Sequence, residues 1–191
     1  MCYVNSPFDV EPLSAQTLDQ ALNLIKNYFL LKDDENPELE LKEAVSPGKY
    51  SQELLKYGII NPKYWVMKLD NKIIGISGIY SNPDDIEDTI WGGWTVCDLK
   101  MVNSISICKS VLLIYQVKEA FKTGKKYFKL YTSTLPSESQ ANKLYEKVEC
   151  FVYKREPVPN GDYEILYRQV DLAYGYNKYC YPLMKKLNIG F

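Results

Sequence analysis

Thr89-Ile90-Trp91-Gly92-Gly93-Trp94-Thr95-Val96-Cys97-Asp98 is the stretch on which the fold turns. Its β-branched and aromatic residues predict a strand, and the Gly92-Gly93 pair predicts a bulge or a close approach by another backbone. From Ile107 the period changes. Ile107, Val111, Ile114, Val117 and Phe121 recur at helical spacing, Lys118 and Lys122 fall in the final turns, and Gly124 sits where a helix ends. Tyr127 to Tyr131 reads as a strand again. Strand, long helix and strand in succession imply a crossover that lays the two strands parallel.

Working outward, Tyr64–Leu69 and Ile73–Tyr80 form a β-hairpin around Asp70-Asn71. Before it come two or three helices. The first spans Ser14 to Leu31 with one apolar face, the second Leu39 to Val45, and the third about Gln52 to Tyr57. After the crossover, Pro136 and the Ser137-x-x-Gln140 box start a helix through Lys147. Phe151–Arg155 and Tyr163–Val170 are strands around Pro159-Asn160-Gly161, and the residues from Asp171 are aromatic and irregular, with one helical turn near Leu183 to Leu187. The expected fold is α/β: a mixed, mostly antiparallel sheet with one parallel crossover, flanked by helices on both faces.

Length and composition bound the function. At 191 residues a single domain is expected. The 23 basic and 24 acidic residues leave a net charge of −1, without the basic excess of a nucleic-acid binder. No apolar stretch approaches the ~18 residues of a membrane span, and Met1 to Pro12 lacks the order of a secretory signal, so no membrane partner is expected. Histidine is absent. That removes Ser-His and Cys-His pairs and every His-ligated zinc pattern. The five cysteines, Cys2, Cys97, Cys108, Cys150 and Cys180, are odd in number and scattered, which reads as free thiols in a reducing cytoplasm and no metal site.

The element order, together with Ile74-Gly75-Ile76-Ser77-Gly78-Ile79-Tyr80, the 89–98 strand, Leu130-Tyr131-Thr132-Ser133 and Ala141–Lys147, resembles the GNAT N-acetyltransferase superfamily over roughly Leu13 to Leu172. The resemblance implies acetyl transfer from acetyl-CoA, a cosubstrate, to a primary amine of a small molecule or protein. It also implies a strand near Val96, Cys97 and Asp98 that holds the pantetheine arm. The departure falls on the pyrophosphate loop, where the family carries glycines. Here stands Asn103-Ser104-Ile105-Ser106-Ile107-Cys108-Lys109-Ser110, with Asn103 in place of the usual Arg or Gln, and Ser106 and Cys108 in place of two glycines. Backbone amides at a helix start, the Lys109 ammonium and serine hydroxyls are the groups left to meet the phosphates.

Tyr145 occupies the place where the family puts a tyrosine that protonates the leaving thiolate; spacing alone makes it a core residue beside Leu144 and Val148. Glu87 and Asp88, entering the 89–98 strand, are the leading candidates for a general base, against a reading as a solvated loop with Asp84 and Asp85. Asp33, Asp34, Glu35, Glu38 and Glu40 form an acidic run that either draws a cationic acceptor or is solvated surface. One of Trp91 and Trp94 is expected in the core and the other along the acceptor pocket. Cys108 as a nucleophile at a helix start is disfavoured, since direct transfer needs no covalent intermediate. Residues 1–172 read as one acetyltransferase-like domain and 173–191 as an aromatic tail docked on it, with a homodimer contact left open. The alternative function is a GNAT-like domain that has lost productive coenzyme binding and serves as an interaction or regulatory module.

Overall fold

The computed structural model of the chain describes residues 8–29, 31, 35–98, 105–159 and 161–187, with only the backbone described for 105–107. In chain order the elements are β1 (Asp9–Pro12), α1 (Leu18–Tyr28), α2 (Pro37–Val45), α3 (Ser51–Leu55), β2 (Ile60–Leu69), β3 (Lys72–Ser81), β4 (Thr89–Gly92) and β5 (Val96–Cys97). They continue with α4 (Ile105–Phe121), β6 (Tyr127–Ser133), α5 (Ser139–Lys147), β7 (Phe151–Pro157), β8 (Glu164–Asp171), α6 (Leu172–Gly175) and α7 (Tyr181–Leu187). One sheet runs β1-β2-β3-β4-β6-β8-β7, with β5 pairing to β3. Every pair is antiparallel except β4 with β6.

Local chemistry explains the joints. Asp70 and Asn71 both take positive φ (49° and 62°), the conformation a tight two-residue hairpin demands and these residues tolerate. Asn36 caps α2 by accepting the Leu39 amide at 3.0 Å, and Pro37 follows at the first helical position. Gly124, at φ +72°, takes the left-handed turn just beyond α4.

Two helical layers cover the sheet. On one face Ala21, Leu24 and Ile25 of α1 and Leu41 of α2 pack with Tyr64, Val66, Ile76 and Val96. On the other, Val111, Leu112 and Ile114 of α4 share a core with Met67, Ile74 and Met184. A third cluster, around Ile79, Ile90, Phe128, Leu130 and Leu172, takes in Tyr145 of α5 and Val148 just beyond its end. Burying each such side chain is worth about 1.5–3 kcal/mol. Among the described residues no helix is long and apolar enough to cross a membrane.

Three sequence expectations change. The C-terminal stretch is helical from Leu172: Asp171 caps it by accepting the Tyr174 amide at 2.9 Å, and a π-helical turn (Tyr176–Cys180) joins α6 to α7. That turn shifts the side-chain register and hides the helical period. The helix docks on α4 through stacked Phe121 and Tyr176 rings, 4.1 Å apart, and buried Cys180 and Met184. The short edge strand β1 pairs with β2, where the sequence predicts no strand. Finally, Cys97 and Cys108 are joined as a disulfide, so free thiols are found only at Cys150 and Cys180 among the described residues. The strand-to-helix return brings together two cysteines that spacing does not pair, and cysteine usage no longer points to a reducing compartment.

Candidate active site at a split in the sheet

The parallel pair is short. Thr89, Ile90 and Trp91 face Tyr127, Phe128 and Lys129, and there the pairing stops, while β6 continues to Ser133. Across the break the pairing with β3 slips by one residue, from Ile79↔Gly92 to Ile76↔Val96. One extra residue among 93–95 makes this a β-bulge, as Gly92-Gly93 foreshadows. Beyond it β5 stays with β3 and leaves β6. A gap opens between residues 93–98 and the end of β6.

Backbone groups line this gap. The Asp98 amide donates to the Ile74 carbonyl at 2.6 Å. Strand alternation therefore turns the peptide groups of Cys97 to the opposite edge, toward β6. Of Val96, Cys97 and Asp98, it is Cys97 that offers an edge to a ligand in the gap. The disulfide fixes this residue to Cys108 in the first turn of α4. α4 begins at Ile105, so its first amides lack helical partners and carry the positive end of the helix dipole. Lys109 and Ser110 follow at the start of the next turn and are half-buried. Asn103 and Ser104 lie outside the described residues, as do the side chains of Ile105, Ser106 and Ile107.

The α4 face of the split is apolar. A cavity of about 80 Å³ lies between α4, α5 and the C-terminal helix, lined among others by Leu113, Val117, Phe128, Tyr145 and Cys180. Burial pushes the Tyr145 phenol far above its ordinary value, against a small opposing effect of Arg168. Tyr145 thus stays a proton donor at any working pH. The Arg168 guanidinium lies 6.0 Å from its ring and is anchored on the Cys150 carbonyl at 3.0 Å and Asn142 Oδ1 at 3.1 Å.

The opposite face is polar. Gln116 crosses from α4 to donate to the Gly78 carbonyl (2.7 Å) and to Thr95 Oγ1 (3.0 Å), and Thr95 donates to the Gly93 carbonyl at 3.2 Å. Gln116 Oε1 is buried and accepts nothing among the described residues. Tyr64 reaches across the sheet to the bulge, where its hydroxyl accepts the Trp94 amide at 3.1 Å and donates to Glu40 Oε1. The Trp94 indole donates to Glu40 Oε2 at 2.9 Å. Gly78 and Gly93 make this path: a Cβ at either would stand 2.2–2.3 Å from the tyrosine.

The other residues singled out by sequence lie around this split. Trp91 is buried, with its indole on Asp85 at 3.0 Å; Trp94 is half-buried, edge-on to Phe29. Glu87 and Asp88 are exposed at the start of β4, where the Asp88 carbonyl holds the Lys126 and Tyr127 amides. That is the closed end, roughly 13 Å or more along the strand from the opening. Of the acidic run, Glu38 pairs with Lys42 at 2.7 Å, Glu40 is buried, and Asp33 and Asp34 lie outside the described residues. No group of three or more potential metal ligands occurs among the described residues.

No protein-family model and no curated protein matches the sequence. Solved structures do. A putative GNAT-family acetyltransferase from Desulfovibrio desulfuricans superposes with a TM-score of 0.66 at 12% identity, covering 86% of this chain and 99% of its own. The ribosomal-protein-S18-alanine N-acetyltransferase of Escherichia coli gives 0.62 at 11% identity, with 86% and 94% covered. The spermidine N-acetyltransferase of Vibrio cholerae, in complex with CoA and spermine, gives 0.64 at 13% identity, with 91% and 100% covered. The split parallel pair, the helix crossing between its strands and these superpositions lead to one conclusion: the chain has the fold of the GNAT N-acetyltransferase superfamily.

Proposed function

We propose that the protein transfers an acetyl group from acetyl-CoA to a primary amine of a small molecule or protein. The observation that carries this reading is the parallel pair that ends after three residues and opens onto an unpaired strand edge at Cys97. The groups present suit the coenzyme. Cys97 offers strand-like hydrogen bonds to the pantetheine arm, and the first-turn amides of α4 with Lys109 and Ser110 offer an anion site at its pyrophosphate. The sequence resemblance adds Asn103, Ser104, Ile105, Ser106 and Ile107 to the groups assigned to that site. The amine enters from the face covered by α1 and α2, attacks the thioester carbonyl through the split, and the thiolate leaves on the α4 side. There Tyr145, a phenol in an apolar setting, supplies its proton.

The second reading, a GNAT-like interaction module, is favoured by one observation: the Cys97–Cys108 bridge spans the loop that lacks the family's glycines. Calorimetry with acetyl-CoA separates the two. Saturable binding, with a stability gain of about 2.7 kcal/mol at a hundredfold excess over Kd, supports the transferase. No heat at millimolar acetyl-CoA supports the module.

A further inference from the structure

Glu40 and Glu43 lie three residues apart on α2, both buried, at 3% and 4% exposure. Glu43 is saturated: it accepts the Gly48 amide at 2.7 Å, the Tyr50 amide at 2.6 Å and the Ser51 hydroxyl. Burial pushes its carboxyl up, but these donors outweigh burial and hold it below the usual range. It is a bracket for the turn between α2 and α3. Glu40 is held by the Tyr64 hydroxyl and the Trp94 indole, and among the described residues no cation offsets its burial. Burial outweighs both bonds and lifts its carboxyl to about 7. The titratable groups facing it are Tyr64 from β2 and Tyr80 from β3, both phenols that burial raises well above their ordinary values.

We propose that Glu40, acting through Tyr64, accepts the proton that the acceptor ammonium must lose before it attacks. The proposal rests on the transferase reading above. An amine is protonated at neutral pH and carries no lone pair until a base removes a proton. The chain has no histidine, and Glu87 and Asp88 sit at the closed end of the split. Tyr64 places its oxygen against the amide that begins the bulge, on the face opposite the coenzyme groove. As its oxygen takes the ammonium proton, its own proton passes to Glu40 Oε1. The tyrosine stays neutral, Glu40 becomes the acid, and the amine is free. The N–C bond then forms as the C–S bond breaks. Tyr145 gives its proton to the leaving thiolate and regains one as the second amine proton comes off the new amide nitrogen, and Glu40 returns its proton to solvent after release. Tyr64 is not the final acceptor, because its raised pKa forbids a lasting phenolate.

The test uses the full chain, a panel of primary amines including spermidine and an alanine-initiated peptide, and the amine with the highest turnover. The wild type should show kcat/KM rising with pH through a midpoint near 7. Glu40→Gln should lower kcat by about 10²–10³-fold, leave the acetyl-CoA Kd unchanged and abolish that midpoint, its rate climbing with hydroxide toward the pKa of the amine. Tyr64→Phe, which keeps the ring and the carboxylate, should do the same should the first variant fail to fold. A variant that is slower but keeps the midpoint overturns the proposal, since a brace moves the rate and not the profile. Acetyl-CoA binding without turnover on any amine also overturns it. No acetyl-CoA binding overturns the transferase reading itself.

Discussion

Tyr64 and Tyr145 stand on opposite faces of the same split, and the protein treats two buried phenols differently. Both are pushed up by burial. Tyr64 has a carboxylate on one side and a backbone amide on the other, so a proton received on its oxygen has somewhere to go. Tyr145 lines an apolar cavity, and no carboxylate hydrogen-bonds it among the described residues. It can give a proton and has no route to pass one on. The difference lies in what each ring touches among the described residues: a buried Glu would make a relay of one tyrosine, and an apolar cavity would leave the other a plain acid. In the transfer we propose, an amine loses its proton on one face while a thiolate gains one on the other, and the two environments match those demands.

Tyr145→Phe puts the contrast between the two tyrosines at greatest risk. It keeps the ring packing and removes only the donor, so kcat should fall by about 10²–10⁴-fold with little change in KM or in melting temperature. A rate within threefold of the wild type would leave the α4 face without its acid.

The amine face predicts a pH signature in stability alone. The folded pKa of Glu40, about 7, lies above the unfolded value near 4.5, so between these pH values the native state binds the extra proton. Stability is therefore full below about pH 4.5 and is lost as pH rises through 7, by roughly 3–4 kcal/mol from this group. Chemical denaturation at a series of pH values should show that fall in the wild type and a flat profile over the same window in Glu40→Gln. Equal slopes would mean Glu40 titrates like an exposed carboxylate.

A smaller effect belongs to the disulfide strap between β5 and α4. Closing the 11-residue separation of Cys97 and Cys108 should contribute about 3 kcal/mol in the chain-entropy account. Melting with and without reductant, beside a Cys97→Ser/Cys108→Ser variant, should show the loss in the wild type only. A reductant-insensitive wild type would mean the bridge does not form.

What the sequence makes legible depends on the range of each interaction. The hairpin, α4 and the parallel pair rest on local period and turn chemistry, and they hold with shifted ends: β2 begins at Ile60, α4 runs Ile105–Phe121, and the 89–98 strand divides into β4 and β5. The bulge at Gly92-Gly93 is legible for the same reason. The C-terminal helix is not, because one π turn puts Tyr176 to Cys180 out of phase with Tyr181 to Leu187. Glu40 reads only as one more member of an acidic run. Its partners come from 24 and 54 residues away, and only the folded sheet, with Gly78 and Gly93 bare of side chains, lets Tyr64 reach it. Local reading therefore assigns the base to Glu87 and Asp88, which are near the strand in sequence and stand at the closed end of the split in space.

Residue-resolved amide hydrogen exchange, with and without acetyl-CoA, tests whether the split is the coenzyme site. The Cys97 amide, which strand alternation turns into the gap, should gain protection on binding, together with the first-turn amides of α4 from Ile105 to Cys108. Asp98, whose amide already donates to Ile74, should change little. Binding that protects other amides and leaves Cys97 and the start of α4 untouched would place the coenzyme elsewhere and refute this site.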